Sequence, residues 1–130
     1  MKADSYTPGS CNINSEEIAR RFRAAVLSFF VAVIVLLILL VFSNNHFFRL
    51  ILFPPIFLTV LNLIQSQQKF CVFYALNGEE NARPGGKKTR SVKSLIDRSK
   101  DKNKAVIMIF ISLILSIILT LPLIKLSSIE

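Results

Sequence analysis

The long apolar stretches of this 130-residue chain lack charge, and its charged stretches lack the groupings that catalysis requires. There is one histidine, His46, and no Glu, Asp or Cys flanks it at ligand spacing, so a zinc site is not expected. Two cysteines, Cys11 and Cys71, stand too far apart in a chain of this kind to read as a disulfide framework. No glycine-rich phosphate loop and no Ser/His/Asp set is present. Apart from Arg49 near one end, charge avoids the apolar blocks, which removes the usual mark of a proton relay, ion pathway or buried catalytic carboxylate. The first apolar block is longer than the roughly 7–15-residue core of a signal peptide, and no small-residue cleavage site follows it. Arg20-Arg21 lacks the rest of a twin-arginine pattern and reads as a topology anchor. These absences point away from an enzyme and from any cofactor or metal.

What is present is 52% hydrophobic residues and a mean hydropathy of +0.54, beside 16 Lys+Arg against 8 Asp+Glu. Those values conflict for a soluble protein and agree for a membrane protein whose charges lie in loops. About 20 apolar residues span a bilayer core, and three blocks qualify. The expectation is an all-α membrane protein with three transmembrane helices, divided into a flexible tail (1–14), a transmembrane hairpin with interfacial ends (15–78), a basic loop (79–104), a third span (105–124) and a tail (125–130).

The first span, 24–42, follows a pre-membrane turn. Asn14 or Ser15 is a candidate N-cap, Glu16 and Glu17 complement the helix dipole, and Arg20, Arg21 and Arg23 sit at headgroup level. The second, 47–64, contains Pro54-Pro55. Either the helix is kinked there, or it starts there and runs to about Leu76. The second alternative buries Lys69 in the bilayer at about 2.5–3.5 kcal/mol, so the kinked span is favoured, with Arg49 snorkelling to the interface. In the third span Ser112, Ser116 and Thr120 fall at i, i+4, i+8 on one face. They read as a helix-packing seam, ahead of hydroxyls that merely bond their own i−4 carbonyls.

Basic residues flank the first span and fill the loop after the second, where Lys87, Lys88, Arg90 and Lys93 are candidate headgroup contacts. Both segments are cytoplasmic if the N-terminus is inside and the C-terminus outside. Within that loop Val92, Leu95 and Ile96 form a short amphipathic pattern. It is expected as a short amphipathic cytoplasmic helix before the third span, lying on the membrane surface or extending the span inward, with its cations on anionic headgroups. No aromatic interleaving accompanies the basic run, so nucleic acid is not an expected partner.

Cys71 lies in FCVFYALNG, where Phe70, Phe73 and Tyr74 look like an aromatic interfacial anchor and Asn77-Gly78 like a helix stop. Topology puts Cys11 and Cys71 on the same side, close enough to approach, and Lys69 with the basic loop favours a Cys71 thiolate. The alternative is that Cys71 is a packed small apolar residue.

This stretch resembles the Phe-Cys-Pro-Leu-Tyr-x-x-x-Gly motif that closes the small two-helix inner-membrane domain of YgaP-like proteins, which accompanies some rhodaneses. The matches are Phe70, Cys71, Tyr74 and Gly78, and with Asn12-Ile13 as a start the resemblance covers 12–78. Val72 stands where the motif has proline, the late Thr-Gly pair is missing, and the third span has no counterpart. The resemblance implies a bacterial inner-membrane hairpin that self-associates. Sulfur transfer is not implied, since no rhodanese domain is present. The expected function is helix association, as an accessory or scaffolding subunit or homo-oligomer, with lipid headgroups and itself or another membrane protein as partners. The alternative is a cytoplasm-facing thiol protein using Cys71 with Cys11.

Overall fold

A computed structural model describes residues 6–43 and 45–125. Three helical rods are long and apolar enough to cross a membrane: Ser15–Phe42, His46–Gln68 and Leu95–Ile124. Large aliphatic side chains such as Leu27, Ile34, Ile107 and Ile118 stay exposed on their outer faces, as contact with hydrocarbon requires.

Helix α1 (Ser15–Phe42) begins where Asn14 accepts from the Glu17 N–H at 3.0 Å, with Glu16 and Glu17 in the first turn. It ends at Ser43, which is extended. The chain then turns through Asn45 into a 3-10 segment, His46–Leu52, followed directly by α2 (Phe53–Gln68).

The prolines resolve the second span differently from either expectation. Phe53 keeps right-handed helical angles (φ −59°, ψ −50°) despite preceding Pro54. The prolines occupy the first turn of α2, where their missing N–H groups have no i−4 acceptor to lose. The rod thus changes from 3-10 to α at the prolines instead of kinking as an α-helix. It also stops well short of Leu76. Lys69 adopts a left-handed conformation (φ 56°), its N–H meets Ser66 O, and Phe70 N–H reaches back to Gln65 O at 3.0 Å. That is a Schellman stop with lysine where glycine is the usual residue.

After the stop comes α3 (Val72–Leu76), a single short helix folded back onto α4 (Leu95–Ile124). Phe70, Val72 and Ala75 pack against Ala105 and Met108, with Leu61, Ile64 and Ile109 around them. The expected basic loop is not all loop. Strands β1 (Glu79–Glu80) and β2 (Arg90–Ser91) pair antiparallel, with Glu80 opposite Arg90. Gly78 carries a positive φ of 69°, which favours glycine, and a Cβ there would crowd the Arg98 side chain at 3.1 Å from its Nε.

The amphipathic segment is not a separate helix. Residues from Leu95 onward continue straight into the third span, Val92 is buried before the helix starts, and Leu95 and Ile96 are exposed. Ser94 caps it through the Asp97 N–H. One α4 face (Asp101, Ala105, Met108, Ser112, Ser116, Thr120) is buried inside the single chain. Helix α2 packs against both α1 and α4.

That burial revises the role of the hydroxyl seam. Ser112 and Ser116 are fully buried within one copy, and the three hydroxyls donate to their own i−4 carbonyls at 2.7, 2.6 and 2.6 Å. Each hydroxyl is thus satisfied within its own helix, on a face of small side chains buried inside the chain. The seam closes an internal contact and leaves no face there for another protein. Ser116→Leu therefore overpacks the bundle and lowers stability by about 1–3 kcal/mol. An SDS-titration unfolding curve reads this; an unchanged midpoint with altered oligomer size would return the seam to an outer surface.

Candidate functional site

The polar groups gather at the end of the bundle that carries the N-terminal segment. The expected flexible tail is ordered over its described part, Tyr6 to Asn14, and Asn12, Ile13 and Asn14 are fully buried. The segment inserts as a strap. Asn12 N–H donates to Lys69 O at 3.2 Å, Asn81 N–H to Asn12 O at 2.8 Å, and Asn14 N–H to Asn81 O at 2.8 Å. Ile13 and Asn81 form a parallel bridge.

Side-chain amides complete the joint. Asn12 Oδ1 accepts from Cys71 N–H at 2.7 Å while its Nδ2 donates to Cys71 O at 3.1 Å, an oxygen that also accepts the Ala75 N–H, so one carboxamide bonds both backbone groups of Cys71. Gln65, buried at the end of α2, accepts from the Val72 N–H at 2.9 Å and so serves the open start of α3. Asn14 donates to Arg83 O (2.8 Å) and Gly86 O (3.1 Å), tying the Pro84–Gly86 turn to the start of α1. Gly86 is needed because a Cβ would sit 2.8 Å from Asn81 Oδ1.

On the α4 side, Asp101 is fully buried and accepts from Tyr6 OH at 2.6 Å and Gly9 N–H at 2.7 Å. Burial, then the hydrogen bond to Asp101, pushes the Tyr6 phenol above its ordinary range. Its proton is held through neutral pH, and the contact is lost only as pH rises past the ordinary tyrosine value of about 10 toward the raised one. Lys104 donates to Ser10 O at 3.1 Å and lies 5.0 Å from the Phe70 ring centroid.

Cys71 is fully buried, and its sulfur accepts from Arg21 Nη2 at 3.0 Å. The cation at this sulfur is therefore Arg21 of α1, and not Lys69, to which the sequence reading assigned it. Tyr74 is half-buried nearby, its phenol raised by burial and then by Glu17. Cys11, half-exposed, donates to Ile13 O at 3.5 Å. The two cysteines flank the Asn12 junction without being bonded to each other. Of the motif positions, Phe70 is core, Cys71 is the junction, Tyr74 borders it, and Gly78 is the turn.

The candidate headgroup residues divide. Arg20 and Arg23 are exposed, with Arg20 also paired to buried Glu17 at 3.0 Å. Arg21 is turned to Cys71. Lys87, Lys88 and Lys93 are exposed, and Arg90 pairs with Glu80 at 2.7 Å.

At the opposite end Arg49 does not snorkel. It is fully buried, and its Nη1 donates to Ile124 O at 3.0 Å and Leu123 O at 3.5 Å. His46 Nδ1 lies 2.7 Å from the same Ile124 O. The start of the second rod thus caps the end of α4, where the last carbonyls have no helical partner. The amides Asn12, Asn14, Gln65 and Asn81 were not singled out as a site from sequence. Their only signal is the placement of amides just outside the apolar blocks.

No protein-family model, no curated protein and no solved structure matches the chain.

Proposed function

We propose that the chain is a non-catalytic integral protein of the bacterial inner membrane, with its N-terminus inside and C-terminus outside. It acts as a small accessory or scaffolding subunit that presents a folded basic cap at the membrane surface. The observation that carries this reading is where the polar side chains go. Asn12, Asn14, Gln65 and Asp101 all bond to backbone or to the strap, which builds a rigid joint, while Arg23, Lys87, Lys88 and Lys93 face outward. Outward cations beside a membrane favour anionic headgroups, and the basic segments support the orientation. Association with another membrane protein or a second copy then uses the outer faces of α1 and α4, since the hydroxyl seam is closed internally.

The thiol reading has one favourable contact, Arg21 on the Cys71 sulfur, and is opposed by the complete burial of that sulfur. A membrane-impermeant maleimide on intact cells, with and without permeabilisation, tests both points. Cys11 is labelled only after permeabilisation, and Cys71 at least tenfold more slowly than Cys11. Labelling of Cys11 from outside overturns the orientation; rapid labelling of Cys71 restores thiol chemistry.

A further inference from the structure

Depth along α4 separates the side chains that lipid can cover from those it cannot. The charge-free run of α4 begins at Ala105, and Leu95 precedes it by ten positions, about 15 Å at the helical rise. Even at the roughly 40° upper end of helix tilt this leaves about 11 Å above the hydrocarbon. The polar layer on each side of a bilayer is only about 5–8 Å thick. Leu95 and Ile96 nevertheless stand 78% and 69% exposed. Two large aliphatic side chains at this height face water unless a protein covers them.

They are not isolated. Leu76, at the end of α3, joins Leu95, Arg98, Ser99 and Lys102 around a crevice of about 320 Å³. That size lies at the lower end of ligand pockets, about 300–1,000 Å³. Leu95, Arg98, Ser99 and Lys102 fall at i, i+3, i+4, i+7 and so share one face of α4. Arg98 is held in position by its Nε donating to Val92 O.

We propose that this crevice docks an acidic segment of a water-soluble protein. An apolar side chain enters between Leu76 and Leu95, and flanking carboxylates meet Arg98 and Lys102. Leu76 and Leu95 supply the anchor, and the cations supply steering and register. A second copy of the chain fits poorly, because it would bring the same cations face to face. This inference needs only that α4 spans the membrane, and goes beyond the scaffold reading.

The test uses the full chain in nanodiscs of neutral phosphatidylcholine. The probe is a fluorescent 12-residue peptide with a Leu-Phe pair flanked by glutamates, compared with one flanked by lysines. Fluorescence anisotropy is expected to show saturable binding of the acidic peptide only, weakened at least tenfold by Leu95→Asp or Lys102→Glu. Leu95 is exposed, so Leu95→Asp leaves the fold intact. A spin label at position 95, with Cys11 and Cys71 replaced by Ser and Ala, is expected to collide with a water-soluble nickel reagent rather than with oxygen in the bilayer. No saturable acidic-peptide binding, or binding indifferent to Leu95→Asp, overturns the proposal. A label at 95 that is shielded from nickel and reached by oxygen overturns it too, by making lipid the occupant.

Discussion

Asn12→Ala lowers the stability of the strapped end by about 1.5–4.5 kcal/mol. The estimate combines the buried Cys71 N–H, left unsatisfied at about 1–3 kcal/mol, with one lost bond to the Cys71 C=O at about 0.5–1.5 kcal/mol, that oxygen keeping the Ala75 N–H. Both now bond to one carboxamide at 2.7 and 3.1 Å, and Asn12 and Cys71 are fully buried, so water does not replace the lost partner. The consequences spread, because Asn12 also carries backbone bonds to Lys69 and Asn81. Asn12→Asp keeps the acceptor, loses the donor and adds a buried charge, so it is at least as damaging. Arg23→Ala, at an exposed position, changes stability by under about 0.5 kcal/mol. Unfolding in mixed micelles by SDS titration ranks the three variants. Equal midpoints for Asn12→Ala and Arg23→Ala would remove the joint from the account.

The other large effect lies at the far end. Arg49→Met keeps the bulk of the side chain and removes its donors, leaving the Leu123 and Ile124 carbonyls without the guanidinium. A hydrogen bond to a charged group is worth about 1.5–3 kcal/mol, and near the hydrocarbon edge backbone groups find few substitutes. The expected loss is therefore about 1.5–3 kcal/mol, with fraying of the last turn of α4. Arg49→Lys recovers part of it, since an ammonium still donates. Protease cleavage near residue 125 in reconstituted vesicles reads the fraying. A variant cleaved at the wild-type rate would show that Arg49 is a lipid anchor after all.

Blocks of hydrophobicity made the three rods legible, because the bilayer imposes a length that single residues cannot disguise. That Ser112, Ser116 and Thr120 share one face followed from local spacing, but spacing did not say that the face closes within one copy, and it left the N-cap open between Asn14 and Ser15. The strap was not legible. It depends on Asn12 meeting Cys71 across 59 positions, and no local pattern announces such a contact. Arg21 and Arg49 misled for a related reason. An arginine beside an apolar run resembles a headgroup anchor whether it faces lipid or turns inward to Cys71 or Ile124. The prolines misled because their effect depends on the preceding hydrogen-bond pattern, and a 3-10 segment accommodates them where an α-helix would bend.

The central claim is that residues 7–14 are part of a folded cap and not a tail. Hydrogen exchange on the full chain in nanodiscs measures this directly, by following the Asn12, Asn14 and Asn81 amides that form the strap. Protection of these amides at least a hundredfold beyond unstructured peptide rates, lost in Asn12→Ala while the spans remain protected, is the predicted result. Exchange of 7–14 at unstructured rates in the wild-type protein would contradict it.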